Sequence, residues 1–130
     1  SNLIAIHQKT GIGPLSAYCG AVSAGCASGA AIAYLKGGDL RTISHTIVNC
    51  LAITSGIVCD GAKASCAAKI GTAVEAGILG YLMIAEDQQF RAGDGIVKKG
   101  VEETIASVGR LGKDGMKDTD REILEIMIGK

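Results

Sequence analysis

Apolar positions along this chain recur at helical intervals, and strict alternation of apolar and polar residues is nowhere sustained. Leu3 to Lys9 is a short apolar segment, read as a helix end, and Gly11-Ile12-Gly13-Pro14 breaks it. Pro14 suits the first turn of a second helix, where its missing N–H costs nothing. That helix is expected to run to about Leu35 and to stop at Lys36-Gly37-Gly38. Along it Ala17, Ala21, Gly25, Gly29 and Ala33 recur every four residues, a stripe that lets another backbone approach closely. A third helix is predicted from Asp39 or Leu40 to about Gly56. Turn chemistry follows at Cys59-Asp60-Gly61, and then a long helix from about Ala62 to Asp87. Gly71, Gly77 and Gly80 inside that helix each cost up to about 1 kcal/mol against Ala, so close helix contacts are implied. Phe90 to Gly95 reads as a loop, and Val97, Val101, Ile105 and Val108 give helical spacing up to Gly109. Thr119-Asp120-Arg121-Glu122 has the form of a capping box ahead of a final apolar stripe. The expected fold is all-α, a compact bundle of about five to six helices packed through Gly and Ala, with residues 3–130 as one unit.

Charge sharpens this picture. Residues 86–130 hold 18 of the 26 charged residues, whereas 11–66 hold five, so the front of the chain reads as interior and the tail as solvated exterior. The 13 basic and 13 acidic residues cancel. Sequence-independent nucleic-acid binding needs a positive field and is not expected. Leu15 to Leu35 is uncharged over about the length of a membrane span, but it is rich in Ala, Gly, Ser and Cys and is read as a buried helix. The chain shows no initiating Met and no basic leader. It is read as a cytoplasmic piece of a longer protein, with Ser1 and Asn2 as an appended remnant.

Candidate chemistry is sparse. Two histidines, His7 and His45, cannot make an HExxH zinc site, no C-x2-C pair occurs, and Gly112-Lys113-Asp114 is not a phosphate-binding loop. One Phe and three Tyr cannot build an aromatic RNA platform. Five cysteines remain, at 19, 26, 50, 59 and 66. Their odd number argues against a disulfide framework, and thiolates are the soft ligands that hold iron–sulfur clusters. The spacing of Cys19 and Cys26 recurs at Cys59 and Cys66, a faint internal echo.

The run Gly56-Ile57-Val58-Cys59-Asp60-Gly61-Ala62-Lys63-Ala64-Ser65-Cys66-Ala67-Ala68-Lys69 resembles a signature of the cysteine desulfidase-like family, itself similar to the α chain of iron–sulfur-dependent L-serine dehydratase. Leu15-Ser16-Ala17-Tyr18-Cys19-Gly20 resembles its upstream cysteine motif, and Gly93 to Val97 and Gly115 to Met127 resemble its C-terminal segments. The resemblance spans the chain, as the C-terminal portion of a protein roughly three times longer. It implies a [4Fe–4S] cluster on Cys19, Cys59 and Cys66. The Cys59–Cys66 gap is narrower than in serine dehydratases, which leaves an upstream cysteine as the alternative third ligand. Cys26 and Cys50 are read as core. Asp60 either orients the site or caps the next helix. Lys63 and Lys69 are candidates to meet a substrate carboxylate; an exposed lysine is the plainer reading for Lys63, the two readings stand level for Lys69, and Lys9 is a weaker candidate.

The implied reaction is pyridoxal-free β-elimination of L-cysteine or L-serine to pyruvate and ammonia, with hydrogen sulfide from cysteine. Its general base is unassigned, since neither His7 nor His45 falls in a matched motif. The expected partners are a small amino-acid substrate, the missing N-terminal part of the protein, and a second copy of the chain. The 130-residue piece alone is expected to be inactive. The alternative is a non-catalytic helical module whose cysteines only pack.

Overall fold

A computed structural model describes all 130 residues, Ser1–Lys130. Six α-helices follow in order: α1 (Asn2–Ile12), α2 (Gly20–Leu35), α3 (Leu40–Thr54), α4 (Ser65–Ala85), α5 (Val101–Arg110) and α6 (Lys117–Met127). There is no sheet, so the all-α expectation holds. A π-helical turn, Leu111–Gly115, links α5 to α6.

The centre of the bundle is α2 against α4, with α3 packed on both. Small residues set that contact, as the sequence predicts. A Cβ on Gly25 would overlap the Ala73 carbonyl, and one on Gly29 would lie 2.7 Å from the Gly77 oxygen. Gly80 does the same against α3, where its Cβ would stand 2.9 Å from the Thr46 oxygen. Gly71 is the exception, because nothing lies within 4 Å of the Cβ it lacks. At that site glycine serves no helix contact.

Helix ends differ from the sequence expectation where long-range ties intervene. Residues 14–19 are not the first turn of α2. The Ser16 hydroxyl donates to the Gly112 carbonyl at 2.6 Å and accepts from the Tyr18 amide, which draws this stretch out of helix. Helix α4 opens at Ser65 rather than Ala62, whose φ of 53° is left-handed. The capping box at Thr119 is not formed. Helix α6 begins two residues earlier, Met116 stands at its N-cap without a side-chain cap, and Thr119 lies inside the helix. At the start of α3, Asp39 does cap, accepting from the Thr42 amide at 2.8 Å. That bond holds its carboxyl below the ordinary range.

Helix α4 alone is long and apolar enough to cross a membrane by length and composition. The stretch tested in the sequence, around α2, forms only a 16-residue helix. Core helices pass the same test, and α4 packs its glycine face on α2 and α3. Only five of its 21 residues are buried, and Ile78, Leu79 and Leu82 stand on its open side.

Candidate functional site

Cysteine placement divides the five thiols into two groups. Cys26, in the middle of α2, and Cys50, in α3, are both fully buried, as expected of core residues. Burial pushes the Cys26 thiol well above its ordinary range, so it stays protonated. Cys19, also buried, and the half-buried Cys59 and Cys66 lie at one end of the bundle, at chain turns and helix starts.

Two of these three are brought together by backbone pairing. Tyr18 and Val58 form an isolated antiparallel bridge, closed by Cys19 N–H to the Ile57 carbonyl at 3.2 Å and Cys59 N–H to the Ala17 carbonyl at 2.6 Å. Successive side chains on paired extended strands alternate sides. Cys19 and Cys59 therefore share one side of the bridge, as diagonal neighbours, while Tyr18 and Val58 take the other. Tyr18 is buried, and desolvation raises its phenol far above the ordinary range.

Cys66 stands in the first turn of α4, and Lys69 follows one turn later on the same face. The Lys69 ammonium donates to the Val58 carbonyl at 3.0 Å and to the Asp60 carboxylate at 2.7 Å. It thereby ties the Cys59 strand to the helix that carries Cys66. The bond to Asp60 raises the Lys69 pKa, with smaller contributions from Asp60, Cys66 and Cys19 as charges. Reciprocally, the bond from Lys69 holds the Asp60 carboxyl below its usual range. Asp60 does not cap α4, whose N-cap is Ala64 with no side-chain cap bond; its carboxylate binds Lys69 instead. Lys63 is exposed and in no ion pair, although its stem lies beside Gly61.

No three His, Cys, Asp or Glu side chains converge as ligands of a single metal ion would. A cluster makes a different demand, because each thiolate binds its own iron and the ligands stand wider apart. The donors at this corner are three soft thiols, with the nearby Asp60 carboxylate taken up by Lys69, and thiolates are the ligands an iron–sulfur cluster requires. Two of them lie at helix starts, Cys19 at the N-cap of α2 and Cys66 in the first turn of α4. Helix N-termini favour negative charge, and Lys69 adds a cation between them. In donor chemistry the three thiols suit such a group.

Neither histidine joins the corner. His7, on α1, pairs with Glu102 at 2.8 Å on the surface, and His45 sits in the first half of α3, near the far end of α4. Lys9 lines an open surface cleft of α1 with Ala5, Thr10 and Pro14. Three features of the corner carry no local sequence signal. Ser16 bonds to Gly112 across the fold. The Val58 carbonyl receives Lys69. Met127 of α6 lies against Gly61, where a Cβ would come within 2.7 Å of its methyl group.

The profile of the serine dehydratase alpha chain family matches residues 1–125. The chain belongs to that family. It is 68% identical over all 130 residues to a UPF0597 protein of Desulfitobacterium hafniense, of which it covers 30%. It is 54% identical to a UPF0597 protein of Finegoldia magna over 130 residues, covering 31% of that protein. A UPF0597 protein of Treponema denticola is 53% identical over 128 residues, with 30% of it covered. The chain thus spans about a third of the length of these curated relatives, and the alignments to the first two take in Ser1 and Asn2. No solved structure matches it.

Proposed function

We propose that this chain is the cysteine-bearing portion of an iron–sulfur lyase that β-eliminates L-cysteine or L-serine. One observation carries the reading: the Tyr18–Val58 bridge sets Cys19 and Cys59 on the same side, and Lys69 binds that bridge to the helix turn bearing Cys66. The family match supports the reaction class. Cys19, Cys59 and Cys66 are the residues that would hold a [4Fe–4S] cluster. When bound, it would supply a Lewis acid for the substrate's thiol or hydroxyl leaving group.

The chain's own residues would do the rest by position and charge. Lys69 has three N–H donors, and Val58 and Asp60 occupy two, so the third is available to a substrate carboxylate. Asp60 keeps the ammonium fixed over the corner and protonated. The buried phenol of Tyr18 and the fully buried Val22 form an apolar floor behind Cys19 that excludes water from that side. Removal of the Cα proton falls to a group outside this corner, because no histidine or unpaired carboxylate stands in it.

Anaerobic reconstitution of the full-length protein tests the reading. The expected result is bound iron and labile sulfide, with pyruvate and ammonia released from L-cysteine or L-serine, and hydrogen sulfide from cysteine. Anaerobically isolated full-length protein without iron or sulfide, and without lyase activity after reconstitution, would end it.

A further inference from the structure

A second concave site lies at the opposite end of the bundle. Helix α3 runs back along α4, with the Asn49 amide donating to the Gly80 carbonyl and the Cys50 thiol to the Ala73 carbonyl. His45 therefore sits beyond the Gly80 level, close to where α4 ends at Ala85. Cys66 lies at the other end of α4. At 1.5 Å per residue, this places the two sites about 30 Å apart along the helix.

The cavity there measures about 190 Å³ and is lined by His45, Gln89, Arg91, Lys98, Lys99 and Gly100 among others. Three of its lining residues are cations and none is acidic. Arg91, Lys98 and Lys99 take part in none of the chain's ion pairs. Of the carboxylates on neighbouring segments, Asp94 accepts from the Arg91 amide at 2.6 Å and Asp87 pairs with Arg41 at 3.0 Å, while Glu103 lines an adjoining groove with Lys98.

Two of the lining residues, His45 and Gln89, each carry a buried polar atom without a partner, Nδ1 and Oε1. Buried polar atoms are nearly always hydrogen-bonded, so each orphan calls for an explanation. Burial, with Arg41 nearby, holds His45 below the usual histidine range. Its neutral ring can carry a proton on Nδ1 and donate. Gln89 can present either end of its amide. Gly100, with φ of 97°, brings the start of α5 to the rim, where the first-turn N–H groups have no helical acceptor.

We propose that this cavity binds a small oxyanion, a carboxylate or a phosphate, held by Arg91 and Lys99 at the mouth and by the His45 imidazole inside. It is independent of the cysteine corner, and the lyase reading does not require it.

Calorimetric titration of the full-length protein at fixed ionic strength tests this, with inorganic phosphate in one arm and acetate in the other. Saturable one-to-one binding is expected in at least one arm, and the arm that binds names the anion class. The Arg91→Ala/Lys99→Ala variant should weaken it by about tenfold or more, which corresponds to about 1.4 kcal/mol. His45→Gln should weaken it in the same arm. Lys113→Ala/Lys130→Ala, which removes two cations that do not line the cavity, should leave it unchanged, as should Cys59→Ser. Absence of saturable binding in both arms overturns the proposal. So does binding that Cys59→Ser abolishes and Arg91→Ala/Lys99→Ala does not touch, since the anion would then sit at the cysteine corner.

Discussion

The Lys69 ammonium stands 2.7 Å from an Asp60 carboxylate oxygen, joining a helix to the extended segment nine residues before it. The pair fixes a cation at the cysteine corner. Under the proposed lyase reaction, Lys69→Ala is expected to lower kcat/KM of the full-length protein by about tenfold or more, the scale of one lost charge-assisted contact. Lys63→Ala, at an exposed and unpaired position, should change it by less than about twofold. Steady-state kinetics on the two variants decides between the lysines.

The same pair fixes a pH expectation. Asp60 titrates below its unfolded value, so its contribution is full above about pH 3.9 and is lost as pH falls through the lowered pKa. Lys69 titrates above its unfolded value, so its contribution is full below about pH 10.4 and is lost as pH rises through the raised pKa. The pair therefore stays charged from about pH 4 to about pH 10. Any inflection in the activity profile between those limits belongs to another group, and Asp60→Asn should lower the rate without moving it. An inflection that shifts in that variant would overturn this assignment.

The two groups of cysteines should separate under mutation. Cys19→Ser and Cys59→Ser are expected to abolish iron and sulfide binding by anaerobically reconstituted full-length protein while leaving its helical content intact. Cys26→Ala and Cys50→Ala should keep the iron and cost about 1–3 kcal/mol of stability, the penalty of a small buried cavity. Metal analysis and chemical denaturation, run on all four, read the two effects independently.

Glycines of α4 should respond with opposite signs. Gly77→Ala forces a methyl group into the α2 backbone around Gly25 and Gly29 and should destabilise by about 1–3 kcal/mol. Gly71→Ala meets nothing within 4 Å and should stabilise by up to about 1 kcal/mol through helix propensity. Thermal melts of the full-length variants, compared with the parent, check both.

Ala62 holds a left-handed backbone at φ 53°, between Gly61 and Lys63. A left-handed conformation costs a non-glycine residue about 1–2 kcal/mol. Ala62→Gly should relieve part of that and raise the melting temperature slightly. A lower melting temperature would show that the loop is held by entropy rather than strained.

Helical spacing was enough to read the six helices and to expect close contacts at their small-residue stripes, because both are local properties; which helix meets which was not in the pattern. What escaped it was non-local. The extended stretch from Pro14 to Cys19 depends on Ser16 reaching Gly112, and no window around Ser16 contains that partner. The early start of α6 follows from the π-helical turn that feeds it, which displaced a well-formed capping sequence. At the site, likeness to the family's motifs pointed to Cys19, Cys59 and Cys66. The Lys69–Asp60 bond lay hidden, because Asp60 sits in a loop and shares no helical register with Lys69.

The Tyr18–Val58 bridge joins positions 40 residues apart through two backbone hydrogen bonds. Between them lies the whole α2–α3 hairpin. Any group bound to both Cys19 and Cys59 would cross-link that hairpin at its base and remove loop-closure entropy from the unfolded chain, as a disulfide does. Loading and folding would then be one linked equilibrium. An unloaded protein would open first at this hairpin, and a protease would distinguish empty chains from filled ones by where it cuts.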